Sequence, residues 1–193
     1  MTVGVLALQG DVREHVQVLE HLGTRVVRVR RPEELAMVGG LIIPGGESSV
    51  IDKLSRLVGL AEPITERINE GMPVFGTCAG LIMISDRVND AIVGQQTFGG
   101  LAVAVRRNAF GSQVHSFETE LDVPALGPEP VHATFIRAPV VEEVGEDVTV
   151  LASLGDGSVV AVQQGALVGT SFHPELSGEV RFHRLFLGLV AQR

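Results

Sequence analysis

Gly76-Thr77-Cys78-Ala79-Gly80 constrains this chain more than any other stretch. It follows Pro73-Val74-Phe75, a short apolar lead-in, and runs straight into Leu81-Ile82-Met83. The pattern reads as a buried strand, a sharp turn and the first turn of a helix. The only cysteine stands at the apex, with a glycine two residues away on each side. Small residues at those two positions let a chain turn so tightly from strand to helix that a nucleophile stands proud of the sheet. The free N–H groups and positive dipole end of the following helix favour thiolate over thiol. A lone cysteine is ordinarily a small buried hydrophobe, so the elbow needs a base before it means chemistry.

The remaining pattern supplies the sheet for such an elbow. Val3 to Leu8 is a continuous apolar run, the habit of a strand buried on both faces. Asp11 and Glu14 have capping-box spacing, and Val12, His15, Val16, Leu19 and Leu22 mark one helical face ended by Gly23. Strands are expected at Arg25–Val29 and Leu41–Ile43. Helices are expected over Val50–Val58 and Ile64–Asn69, and after the elbow to about Arg87. Alternation at this spacing implies right-handed βαβ units, a mostly parallel sheet covered on both faces, and an active site at the carboxyl ends of the strands. Both the elbow and the loop Pro44-Gly45-Gly46-Glu47-Ser48-Ser49 fall at that edge. Beyond residue 90 come β-like runs at Leu101–Val105, Gln113–Leu121, Val131–Ile136, Val148–Ser153, Val159–Gln163 and Ala166–Phe172, with an Asp156-Gly157 hairpin signal. An amphipathic helix from Val180 to Val190 closes the chain. The expectation is one α/β domain over residues 1–193, with a small antiparallel portion in its second half.

Of six histidines, His173 has the right company. It stands in Ser171-Phe172-His173-Pro174-Glu175, after an apolar strand. Pro174 biases His173 towards an extended conformation, where residues i and i+2 project to the same side. Glu175 can then hold one ring nitrogen while the other takes the Cys78 proton, which is the logic of a nucleophile, a base and an orienting carboxylate. His15 reads as packing, and His21, His132 and His183 as surface or core-edge residues. The glycine pair at 45 and 46, with the Ala79 N–H, can form an oxyanion hole. No phosphate-binding glycine fingerprint and no zinc spacing occurs; neither a metal nor a cofactor is expected.

Composition narrows the partners. A net charge of −8 argues against nucleic acid or an anionic membrane, and without Trp or Tyr any base-stacking platform would rest on eight Phe. One cysteine cannot close an internal disulfide, the N-terminal run lacks a basic signal-peptide region, and no apolar run reaches the ~20 residues of a membrane span. A cytoplasmic protein is expected.

Gly-Thr-Cys-Ala-Gly, Pro-Gly-Gly-Glu-Ser and Ser-Phe-His-Pro-Glu-Leu, in this order, resemble class I (triad) glutamine amidotransferases, which have a flavodoxin-like fold. More narrowly, Gly-Val-Leu-Ala-Leu-Gln-Gly-Asp at the start, Arg31-Pro32-Glu33, Arg106-Arg107-Asn108-Ala109-Phe110-Gly111 and Phe135-Ile136-Arg137-Ala138-Pro139 resemble the glutaminase subunit of pyridoxal 5′-phosphate synthase. The resemblance implies that Cys78, His173 and Glu175 hydrolyse L-glutamine through a glutamyl thioester. It implies glutamine binding by Gly46, Glu47, Ser48, Arg107, Ile136 and Arg137, and an oxyanion hole from Gly46 and Ala79. It also implies ammonia transfer to a synthase subunit that forms a ring-shaped dodecameric core and activates the glutaminase on docking. Ser49-Val50 and His115 depart from that family's usual residues without touching the triad. The rival readings are a glutaminase serving another amidotransferase, a cysteine hydrolase or redox sensor of similar architecture, and a catalytically dead binding protein.

Overall fold

The computed structural model describes residues 1–107 and 116–193. His115, the segment 108–111 and the start of the expected 113–121 strand lie outside the described residues. The first half alternates as expected: β1 (Thr2–Leu6), α1 (Val12–His21), β2 (Arg25–Val29), α2 (Pro32–Leu35), β3 (Gly40–Ile43), α3 (Ser48–Leu57), α4 (Ala61–Asn69), β4 (Val74–Thr77) and α5 (Ala79–Ile84). Then come β5 (Ser85–Asn89), β6 (Leu101–Arg106), β7 (Ser116–Leu121), β8 (Val131–Ile136), β9 (Val140–Val144), β10 (Thr149–Ser153), β11 (Val159–Gln164), β12 (Leu167–Thr170) and α6 (Arg181–Ala191).

The large sheet runs β2-β1-β3-β4-β12-β11-β9-β6-β5, with β10 paired to β11. From β2 to β12 the neighbours are all parallel, whereas β11 pairs antiparallel with β12, β10 and β9. A separate antiparallel pair, β7–β8, lies in the second half. Helices cover both faces, so this is the expected α/β, flavodoxin-like arrangement. On one face Val3, Val5, Ile42, Phe75 and Val168 meet Val16 and Leu19 of α1 and Phe182, Phe186 and Val190 of α6. On the other, Leu41, Ile43 and Val74 meet Leu35, Ile51, Ile64, Ile68 and Leu81 from α2 to α5. Among the described residues, no helix is long and apolar enough to cross a membrane.

Three local expectations need correction. The helix after the elbow stops at Ile84 rather than near Arg87. All six of its residues are buried, so another turn would carry Asp86 and Arg87 into apolar surroundings. Instead Ser85 turns extended, its hydroxyl donates to the Ile82 carbonyl at 2.7 Å, and the chain leaves as β5 beside β6. The Asp11 side chain makes no capping bond to α1, and Glu14 pairs with Arg13 instead. Besides β5, two further elements went unread: β9, whose Glu142 and Glu143 obscure its valines, and α2. The latter starts with Pro32 in its first turn, and the Glu34 carboxylate accepts from the Arg30 and Arg31 amides at 2.6 and 3.1 Å.

Strand register explains why the sequence motifs meet. Thr77 of β4 lies beside Thr170 of β12, and Ile43 of β3 beside Gly76. The Cys78 elbow, the Ser171–Glu175 segment and the Pro44–Ser49 loop therefore leave adjacent parallel strands at the same carboxyl edge. A Cβ on Gly80 would overlap the Ile43 carbonyl, a backbone atom that cannot step aside. Gly80→Ala should thus cost ~3 kcal/mol and lower the melting temperature by roughly 6–12 °C. Gly188, exposed in α6 with nothing within 4 Å of a built Cβ, provides the opposite sign: Gly188→Ala should raise it by roughly 2–4 °C. Thermal unfolding of the two variants checks both.

Candidate active site

Cys78 occupies a backbone conformation that side-chain-bearing residues rarely adopt, φ 50° and ψ −103°. The flanking glycines make it possible: a Cβ on Gly76 would sit 2.5 Å from the Gly80 carbonyl. The Cys78 amide donates to the Thr170 carbonyl at 2.7 Å, which fastens the elbow to the strand that delivers the histidine. Strain held in place by surrounding structure at a nucleophile is the elbow's mechanical signature.

The His173 amide donates to the Thr134 carbonyl at 3.0 Å. The His173 Nδ1 donates to Glu175 Oε1 at 2.8 Å, and electrostatic attraction to Cys78 acts on the same ring. Cys78, His173 and Glu175 therefore lie together at one sheet edge. Burial by itself would lower the imidazole's proton affinity. The nearby Asp11, Cys78 and Glu175 outweigh it and push His173 up to about 12. Burial raises the Glu175 carboxyl, against the opposing pull of His173.

Behind the triad lies a polar layer that sequence reading assigned to packing or to the surface. Glu175 Oε1 is 3.5 Å from both Thr77 Oγ1 and His15 Nε2. Thr77 Oγ1 and His15 Nε2 are 3.1 Å apart, and His15 Nδ1 and His183 Nε2 share a proton over 2.9 Å. His15 and His183 are fully buried; the core-edge placement expected for His183 is wrong, because its ring packs edge-on to Phe75 and against His15. Both stay neutral. Burial pulls His15 well below the ordinary histidine value, aided by repulsion from His183 and His173. Burial takes His183 down to about 4, against the opposing effect of the Glu179 carbonyl. His132, by contrast, is a surface residue paired with Glu118 and Glu120.

The cleft in front of Cys78 is lined by Gly46, Glu47, Ser48, Ala79, Ile82, Arg107, Ile136 and Arg137, which gathers every residue expected there and adds Ile82. Arg107 bridges Glu47 Oε1 at 2.7 Å and Gln95 Oε1 at 3.0 Å, and Gln95 Nε2 donates to Ser48 Oγ at 3.0 Å. The Glu47 amide donates to Gln9 Oε1 at 2.8 Å. Gln9 and Gln95 were missed. Gln9 could have been found from its place just beyond β1, at the functional edge; Gln95 gives no sequence signal. The Ile136 carbonyl is 4.0 Å from Cys78 Sγ, and Arg137 takes a left-handed φ of 46° where the chain turns after β8. Ala79 opens α5, so its N–H has no acceptor within the helix. The cleft thus sets a thiol with its base beside paired acidic and basic groups, an arrangement suited to acyl transfer on a zwitterionic amide.

A profile of the SNO glutamine amidotransferase family matches residues 5–192. The chain belongs to that family. It is 66% identical over 188 residues to pyridoxal 5′-phosphate synthase subunit PdxT of Clavibacter sepedonicus, covering 97% of this chain and 90% of that one. It is 66% identical over 185 residues to the protein of the same name from Leifsonia xyli subsp. xyli, covering 96% and 93%. A solved structure described as a glutamine amidotransferase superposes with a TM-score of 0.90 at 47% identity, over 98% of both chains. A chain of the PurLQS structure from Thermotoga maritima, at 18% identity and a TM-score of 0.68 over 97% of both chains, shares the fold.

Within this amidotransferase fold the buried histidine pair ties stability to pH. For a group whose folded value is depressed, stability is complete above the unfolded value near 6.5 and is lost as pH falls towards the folded value, about 4 for His183. That is worth about 3 kcal/mol for His183. The urea midpoint should therefore drop between pH 7 and pH 5. His183→Gln, which cannot take up that proton, should flatten the fall.

Proposed function

We propose that this chain is the glutaminase of a pyridoxal 5′-phosphate synthase and acts as a single domain in the cytoplasm. Cys78, His173 and Glu175 hydrolyse L-glutamine to glutamate and ammonia. The observation carrying this reading is His173 bonded to Glu175 beside Cys78, with Cys78 lining a cleft that contains an Arg107–Glu47 pair. Arg107 would exchange Glu47 for the substrate α-carboxylate, and Glu47 would accept the α-ammonium. Gly46, Ser48, Ile136 and Arg137 would complete the walls.

The reaction balances on these groups. Cys78 Sγ attacks the side-chain amide carbon, and the carbonyl oxygen takes the negative charge, facing the Gly46 and Ala79 N–H groups. His173 gives its proton to the amide nitrogen, the C–N bond breaks, and ammonia leaves a glutamyl thioester. Water, losing a proton to His173, then cleaves the thioester, and the proton returns to Cys78. The ammonia would pass to a synthase partner, built in this reading as a dodecameric ring that completes the oxyanion hole on docking. Support comes from the relatives' shared name. The same name disfavours a glutaminase of another pathway, and the assembled triad disfavours a dead binding protein.

Glutamate release from L-glutamine, with and without the synthase partner, tests this. Release should rise strongly on adding the partner and fall at least about a thousandfold in Cys78→Ala. Full release without the partner would contradict the activation, and unchanged release in Cys78→Ala would contradict the mechanism. Arg107→Ala should raise KM about 10–100-fold, the loss of one charge-assisted pairing.

A further inference from the structure

Asp11 has the wrong job for its sequence position. Its spacing before α1 marks a helix cap, yet its carboxylate makes no bond to the helix amides. Instead its backbone N–H donates to the Gly45 carbonyl at 3.1 Å, and its Oδ2 lies 3.3 Å from His173 Nδ1. The same nitrogen donates to Glu175 Oε1 at 2.8 Å. Two carboxylates from different elements, one beyond β1 and one beyond β12, thus converge on one ring N–H. Gly45 admits the arrangement: a Cβ there would lie 2.8 Å from Asp11 Oδ2 and closer still to the His173 ring.

We propose that Asp11 is a second positioning residue for His173, sharing its Nδ1 proton with Glu175 and stabilising the imidazolium that donates a proton to the departing amine. The groups facing His173 are Cys78 from the elbow, Glu175 from its own segment, and Asp11 and neutral His15 from the β1–α1 side. Glu175 is fully buried and penalised for carrying charge, whereas the Asp11 side chain is 34% exposed and water can solvate its charge. The two carboxylates therefore divide the task. Glu175 fixes the ring's orientation; Asp11, more open to water, places a second carboxylate on the same ring nitrogen. The Asp11 carboxylate, 3.3 Å from the ring nitrogen, is the largest of the effects that raise His173. The proposal rests on His173 being the proton carrier of the glutaminase reaction.

Cys78 is the only cysteine, so alkylation by iodoacetamide reports its thiolate in the full chain without any substrate. In Asp11→Asn the loss of one negative charge should shift the acid-side inflection of the alkylation rate to lower pH, by about one unit. Glutamine turnover with the synthase partner should lose about tenfold in kcat with KM unchanged, because an imidazolium that is less favoured and held by one carboxylate fewer slows the chemical steps and not binding. Asp11→Glu should restore most of both. If Asp11→Asn does not fold, Asp11→Ser keeps a capping side chain, removes the carboxylate and should give the same shift. An unshifted alkylation profile, or a kcat loss matched by loss of folded protein, overturns the proposal. Absence of turnover in the unmodified chain would overturn the functional reading instead, and the alkylation shift would still decide the role of Asp11.

Discussion

Everything at the site depends on holding Cys78 in a conformation it would not choose. Unfavourable backbone angles cost on the order of 1–3 kcal/mol, and the fold supplies the restraint locally. The Cys78 amide is bonded to β12, Gly76 and Gly80 lie against one another, and Gly80 lies against the Ile43 carbonyl of β3. Three adjacent parallel strands therefore meet at one tight turn. The same register that closes the elbow sets the beginnings of the Pro44–Ser49 loop and the His173 segment beside it, so the geometry of this edge follows from strand pairing.

Charge is layered around that turn by its access to water. The deepest layer, His15 and His183, is neutral because burial makes charge expensive. In the middle layer burial alone would lower His173, but Asp11, Cys78 and Glu175 raise it, while burial raises Glu175 against the opposing pull of His173. The outer layer, Arg107 and Glu47, is partly open to water and faces the cleft. A substrate carrying one charge of each sign can exchange with the outer pair without disturbing the middle one.

Much of this was legible in the sequence, for identifiable reasons. The elbow and the His-Pro-Glu segment are local motifs whose shape is set by neighbours one to three residues away, and the structure sets them side by side at one sheet edge. The parallel strands announced themselves through continuous apolar runs such as Leu41–Ile43. What sequence could not show were contacts made across the fold. His183 looks solitary in the chain but is buried against His15 from another helix. Asp11 reads as a cap until β12 brings His173 to it. Gln95 is an unremarkable loop residue until Arg107 and Ser48 meet on it. Helix α5 ended early because its burial on all sides, invisible in local periodicity, left no place for Asp86 and Arg87.

The most direct test of the account is covalent trapping with a chloroketone analogue of L-glutamine, read by peptide mass spectrometry. The account predicts a single equivalent bound at Cys78, slowed when His173 is replaced by Ala and prevented by excess L-glutamine. Labelling elsewhere on the chain, or labelling of Cys78 that glutamine does not protect, would contradict it.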